Sequence, residues 1–260
     1  MLADVLLPAK VLQVLAVGLI GVYTYRRDML NAAGAFTATL MGAIIVLFTN
    51  VFWLLMLFAL LGLGSAVTRF RFSAKQAAKV AEKKGGRRST RNVIANGLTP
   101  AILAALAPGI AERWSPTVAA IAFVSAIAVA AADTFASEFG SLATRVRLIT
   151  TWRRVPAGVD GGVSWPGQFA ALAGGATMAG LGYVLVGVLS PWFSASAPAP
   201  QLAWPLLAIP ALVGFAGCQI DSLVGATLEG GGLFTKEETN LAAITFGGAA
   251  GLALAVIIGT

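Results

Sequence analysis

Apolar runs long enough to cross a bilayer recur along almost the whole chain, and short segments between them hold nearly all of the charge. A membrane-spanning helix needs about 20 apolar residues. Runs of this kind fall near 9–25, 32–48, 51–68, 93–108, 117–134, 168–189, 204–222 and 241–259. The expected fold is all-α: one integral-membrane domain over 1–260, a polytopic bundle of about eight transmembrane helices. Only 11% of the residues are charged, against roughly 25% in a soluble domain, which excludes a water-soluble globule and a disordered chain. A transmembrane β-barrel would alternate polar and apolar residues, and these runs do not. The fourth run contains Asn96 and Pro100 and reads as short, re-entrant or tilted. The first lacks a basic leader and a small-residue cleavage site and is followed by Arg26 and Arg27, so it reads as a retained helix.

The charge asymmetry fixes an expected orientation. With eight spans and an external N-terminus, 16 of the 18 Lys and Arg residues fall on one side, and only Lys10 and Arg113 on the other. The positive-inside rule makes the crowded side cytoplasmic. Both termini then face out, and the loops near 69–92, 139–167 and 223–240 share the cytoplasm. The chain has no His and a single Cys218, which removes imidazole ligation, a His general base, an intrachain disulfide and a multi-thiolate metal site.

Three constellations lie on the cytoplasmic side. The first, Lys75 to Gly97, gathers Lys79, Lys83, Lys84, Arg87, Arg88 and Arg91 around Gly85 and Gly86. Glycine lets backbone N–H groups approach a phosphate, arginine forks grip its oxygens, and a helix starting near Asn92 adds its positive N-terminal end. A basic loop that only sets topology or touches anionic lipid is the plain alternative, and Asn92 and Asn96 entering the span favour a site. The second is Asp133-Thr134-Phe135-Ala136-Ser137-Glu138 with Gly140 following. Asp133 and Ser137 share a helical face, but Glu138 lies about 140° round, so the two carboxylates serve one ion only if the helix ends or bends between them. The third is Asp221 to Glu229, followed by three glycines.

Asp133 ends the fifth run and Asp221 the seventh, 17 and 16 residues after Pro116 and Pro205, so both sit at similar depth after roughly 25 Å of helix. Ionisable groups at such depth are costly unless paired, hydrated or metal-bound, and so are functional candidates; a helix-end Asp solvated at the headgroups is the alternative. Asp160, in a Gly-rich loop, is explained almost as well as a turn residue. A basic glycine loop for phosphates and hard oxygen ligands for Mg²⁺, with Asp133 and Asp221 the simplest pair, suggest phosphoryl or nucleotidyl transfer. No Walker A, dinucleotide fingerprint or kinase catalytic-loop pattern is present.

Five segments, GGRRSTRNVIANG at 85–97, AADTFASEFG at 131–140, GVDGGVS at 158–164, DSLVGATLE at 221–229 and KEETN at 236–240, occur in an order that resembles the phytyl-phosphate kinase family. These membrane proteins are similar, distantly, to CTP-dependent polyprenol kinases and phosphatidate cytidylyltransferase. Phe135 stands where the family commonly has Trp, and Glu229 where Gln is more usual. The resemblance implies transfer of the γ-phosphate of CTP to an isoprenoid monophosphate, giving the diphosphate. On that reading Asp133, Asp221 and Arg88 are catalytic, and Lys84, Gly86, Arg87 and Arg88 hold the triphosphate. Asn92 and Asn96 orient nucleotide or acceptor; Ser137, Ser164 and Asn240 support them; Asp133, Glu138 and Asp221 take Mg²⁺. The partners are CTP, the isoprenoid phosphate and membrane lipid, with no nucleic acid, and a homodimer stays open. The prenyl tail is expected between helices, where Gly174-Gly175 and Gly247-xxx-Gly251 leave room or, more simply, allow tight packing. A polyprenol kinase, a cytidylyltransferase or a carrier of phosphorylated lipids are the alternatives.

Overall fold

The computed structural model describes residues 2–77, 89–193 and 200–260. Helices dominate: α1 (Leu2–Arg26), α2 (Ala32–Phe48), α3 (Val51–Arg69), a short α4 (Phe72–Ala77), α5 (Thr90–Arg113), α6 (Pro116–Gly140), α7 (Trp165–Gly182), α8 (Ala208–Val224) and α9 (Lys236–Ile258). Among the described residues seven helical segments are long and apolar enough to span a membrane, and α2 is a shorter apolar helix. The bundle is the integral-membrane helical fold expected.

Helix α6 is the axis of the bundle. Every residue from Thr117 to Ala132 is buried, as suits a helix apolar on all sides. Glycines let its neighbours approach to backbone contact. A Cβ on Gly217 of α8 would lie 2.3 Å from Val129 Cγ2, and one on Gly251 of α9 would lie 2.4 Å from Ser125 Oγ. Gly174 and Gly175 of α7 likewise meet Ala131 of α6 and Ala211 of α8. These glycine faces are therefore packing faces. On the other flank Trp53 of α3 meets Phe123, with ring centroids 4.7 Å apart.

The ends of the bundle are tied by polar contacts. At one end Asn50 Nδ2 donates to Ser190 Oγ (2.6 Å), Ser115 Oγ donates to the Thr260 carbonyl (2.7 Å), and Lys10 Nζ donates to the Val46 carbonyl (2.6 Å) at the end of α2. Both the α1 and α9 extremities lie there. At the opposite, basic end Thr90 Oγ1 donates to Asn31 Oδ1 (3.0 Å), and Phe70 packs on Phe139 (5.5 Å between centroids).

Three local expectations need correction, and the loop before α7 holds an element that the sequence did not signal. The fourth span is a full 24-residue helix, Thr90–Arg113, capped by Ser89 and carrying Pro100 and Pro108 inside it; neighbouring helices let spanning helices tolerate proline. Asp133 is not at a helix end, because α6 continues to Gly140. Asp221 is not either: α8 runs to Val224 and then widens into a π-helical turn, Gly225–Glu229. The loop before α7 is also not wholly irregular. It holds a small antiparallel sheet, β1 (Val146–Leu148), β2 (Arg154–Val155) and β3 (Gly162–Val163), in the order β2-β1-β3.

Candidate functional site

At the basic end a polar cavity of about 730 Å³ opens between α6, the β3 region, α7, α8 and the start of α9. Helical periodicity supplies two of its walls. Asp133, Ala136, Ser137 and Gly140 line it from α6 at spacings of three and four residues, which share one face. Cys218, Asp221, Ser222, Gly225 and Glu229 line it from α8 and its π turn. Such widened turns recur at functional sites.

Close backbone contacts close the remaining sides. Gly161 has φ +74°, and a Cβ there would lie 2.6 Å from the Ser222 carbonyl oxygen and 2.3 Å from Ala226 Cβ. Only glycine meets both demands, and this contact presses the loop onto α8 and brings Asp160 to the cavity. A Cβ on Gly167 would lie 3.1 Å from the Ala136 carbonyl oxygen, so α7 begins hard against α6.

The charges converge. Asp221 is buried at 6% exposure, and it lines the same cavity as Asp133, within electrostatic reach of it. Two ionised carboxylates that close repel, so the pair is stable only when it shares a proton or a cation. Lys236 lies within electrostatic reach of Asp133, Asp221, Glu229 and Asp160. With its nitrogen turned toward them, the Asn240 carboxamide donates to Asp221 Oδ1 (3.2 Å) and to the Lys236 carbonyl (3.1 Å). A capping box, in which Thr235 Oγ1 accepts from Glu238 N and Glu238 accepts from Thr235 N, fixes the start of α9 and with it Lys236 and Asn240.

Of the residues singled out in the sequence, Asp133, Ser137, Ser164 and Asp221 line this cavity, and Asn240 holds Asp221. Ser164 works as a cap: its Oγ accepts from Gly167 N (3.3 Å) at the start of α7. Glu138 is not part of the lining. Because α6 runs unbroken past it, its angular offset from Asp133 turns it away. Asn92 and Asn96 line a different cavity, between α1, α2, α3 and α5. Lys84, Gly86, Arg87 and Arg88 lie outside the described residues.

Lys236, Glu229 and Asp160 complete the cavity and carried little weight in the sequence. A signal for Lys236 existed. It is the first residue of α9, where the positive end of the helix dipole disfavours a cation, so only nearby carboxylates account for it there.

Residues 15–255 match the family described as integral membrane protein DUF92. The chain belongs to that family. As a DUF92 protein it is 34% identical over 224 residues to an uncharacterized membrane protein of Methanocaldococcus jannaschii, covering 86% of this chain and 84% of the relative. It is 32% identical over 227 residues to Protein PGR of Arabidopsis thaliana, covering 81% of this chain and 76% of that one. It is also 29% identical over 176 residues to the chloroplastic Protein VTE6 of Arabidopsis thaliana, covering 67% of this chain and 53% of VTE6. No solved structure matches this DUF92 chain.

Proposed function

We propose that the chain is a membrane phosphotransferase: a kinase that moves the γ-phosphoryl group of CTP onto an isoprenoid monophosphate of the phytyl or geranylgeranyl class. The observation that carries this reading is the meeting of Asp133, Asp160, Asp221, Glu229 and Lys236 at one cavity, drawn from four of the five motif segments. The resemblance of those segments to phytyl-phosphate kinases supports the same reaction class. The lopsided distribution of Lys and Arg supports a cytoplasmic active site.

The residues suit a transfer that needs no general base. An isoprenoid monophosphate is already anionic at neutral pH, so one of its oxygens attacks the γ-phosphorus directly. A new P–O bond forms there, the bond from γ-phosphorus to the β,γ-bridging oxygen breaks, and CDP leaves with that oxygen. Catalysis is then positioning and charge neutralisation. Lys236 neutralises charge at the cavity, and Asn240 holds Asp221 in place. Among the described residues no three His, Cys, Asp or Glu side chains are grouped to hold a metal by themselves. Mg²⁺ takes one or two carboxylates and fills its shell with water and substrate phosphates, so the Asp133–Asp221 pair fits it. Bound there, Mg²⁺ would supply charge stabilisation for the triphosphate.

The test is transfer of labelled γ-phosphate from CTP, with Mg²⁺, by detergent-purified protein to geranylgeranyl monophosphate, with geranylgeraniol alongside. A labelled diphosphate is expected. Label on the alcohol alone would make the protein a polyprenol kinase, and release of pyrophosphate with a CDP-lipid would make it a cytidylyltransferase.

A further inference from the structure

A second cavity, of about 830 Å³, lies on the far flank of the bundle between α1, α2, α3 and α5. Its walls are almost wholly hydrocarbon, with Val17 and Ile20 on α1, Met41 on α2, and Leu57 and Phe58 on α3. The threonines that reach it are committed to their own helices: Thr24 Oγ1 donates to the Gly21 carbonyl (2.9 Å) and Thr39 Oγ1 to the Ala35 carbonyl (2.8 Å). Asn92 is different. It lines the cavity, and its Oδ1 is buried with no hydrogen-bond partner among the described residues, a costly state; turned over, the same carboxamide offers its N–H groups to an anionic acceptor. Asn96 lies one turn further along the same wall.

The polar end faces the basic end of the bundle. Arg91 directly precedes Asn92, and Arg26, two residues after the lining residue Thr24, ends α1 with Arg27 following it. From Thr24 to Val17 the cavity follows seven residues of α1, about 10 Å into the membrane. An apolar shaft with a carboxamide and cationic groups at one end matches an amphiphile with one hydrocarbon chain and an anionic head.

The same end is level with the polar cavity. Thr99 of α5 and Thr245 of α9 share a hydrogen bond of 2.8 Å, and each is nine residues past the first residue of its helix, Thr90 or Lys236. The starts of α5 and α9 are therefore level, and Arg91 lies within electrostatic reach of Glu238. Asn92 and Asn96 thus sit at the depth of Lys236 and Asn240, on an adjacent helix at the usual packing distance of about 8–10 Å.

We propose that this cavity takes the hydrocarbon chain of the isoprenoid monophosphate, its phosphate lying at the Asn92 and Asn96 end, at the depth of the carboxylate cavity. The identity of the head rests on the kinase reading above; the assignment of a single-chain anionic lipid to this cavity rests on its own lining.

The direct test uses purified full-length protein without nucleotide and geranylgeranyl monophosphate carrying a diazirine at the far end of its chain. Photolabelling is expected within 17–21 and 54–61, saturable, competed by unmodified geranylgeranyl monophosphate and not by phosphatidylglycerol. Label confined to the outward residues Leu12, Leu15 and Leu19, or label that phosphatidylglycerol removes equally well, overturns the proposal. In turnover, a bulky side chain at Ala38, which lines the cavity from α2, fills it in the variant Ala38→Phe. It is expected to raise KM for geranylgeranyl monophosphate about tenfold while leaving kcat, the KM for CTP and turnover of dimethylallyl monophosphate unchanged. An unchanged lipid KM in that variant, with folding retained, also overturns it. Saturable label at 17–21 and 54–61 in a protein that phosphorylates nothing would sink the kinase reading and keep the lipid site; transfer with label elsewhere would do the reverse.

Discussion

The two cavities are built on opposite plans. The carboxylate cavity is held by α6, whose spanning window is 83% buried, and by helices that touch it through glycine; the hydrocarbon cavity is bordered by α1, whose window is 11% buried. One half of the molecule fixes charged groups in position by leaving no room for a Cβ. The other half leaves room and presents its outer faces to lipid. Positioning of charge and accommodation of a chain are separate tasks here, and different helices perform them.

That division is open to attack, beginning with the largest effect. Asp221→Asn is expected to lower kcat by about a thousandfold with every acceptor, whatever its chain length, as loss of a central electrostatic group does, with thermal stability retained; full Mg²⁺-dependent turnover in a folded variant removes Asp133 and Asp221 from the metal role. Lys236→Met should cost about a hundredfold in kcat, and at matched fold its lipid KM should not change. Asn240→Ala should lower the apparent Mg²⁺ affinity by about 10–100-fold, the usual effect of losing a group that orients a ligand, read from a Mg²⁺ titration of turnover. Gly161→Ala combines φ +74° with a 2.6 Å approach to a carbonyl oxygen, and a destabilisation of about 1–3 kcal/mol is expected in thermal unfolding. Ser164→Ala should cost about 1 kcal/mol of stability as a lost cap and change KM for CTP less than about twofold. A large loss of CTP affinity there would turn the cap into a ligand.

Much of the bundle was legible because membrane spans are written in long windows. Eight apolar runs, the clustering of Arg and Lys, and the depth of Asp133 and Asp221 all follow from composition summed over many residues. Helix ends are decided by a few bonds, and there the reading slipped. Nothing in AADTFASEFG says that the helix continues to Gly140, yet that continuation separates Glu138 from Asp133. Asp160 looked like a turn residue because the reason for its position lies 65 residues away, where Gly225 leaves space for Gly161. Asn92 and Asn96 stand out in an apolar span, but periodicity does not say which of two flanks a helix turns them toward. The three strands are two or three residues long, too short for any alternation to register.

Helix α6 is enclosed on all sides by elements that the ribosome delivers mostly after it. Asp133 enters the membrane roughly a hundred residues before Lys236 exists, a delay of about 5–20 s at ordinary synthesis rates. Until then Asp133 lacks its Lys236 partner, and α7, α8 and α9 must still pack onto α6. The glycines on the arriving helices therefore serve assembly as well as the finished structure: a surface without side chains can slide along α6 until Lys236 meets the carboxylates. Truncation after α7 should leave α6 without the faces that α8 and α9 cover, and faster degradation than the longer chain is expected in a pulse-chase.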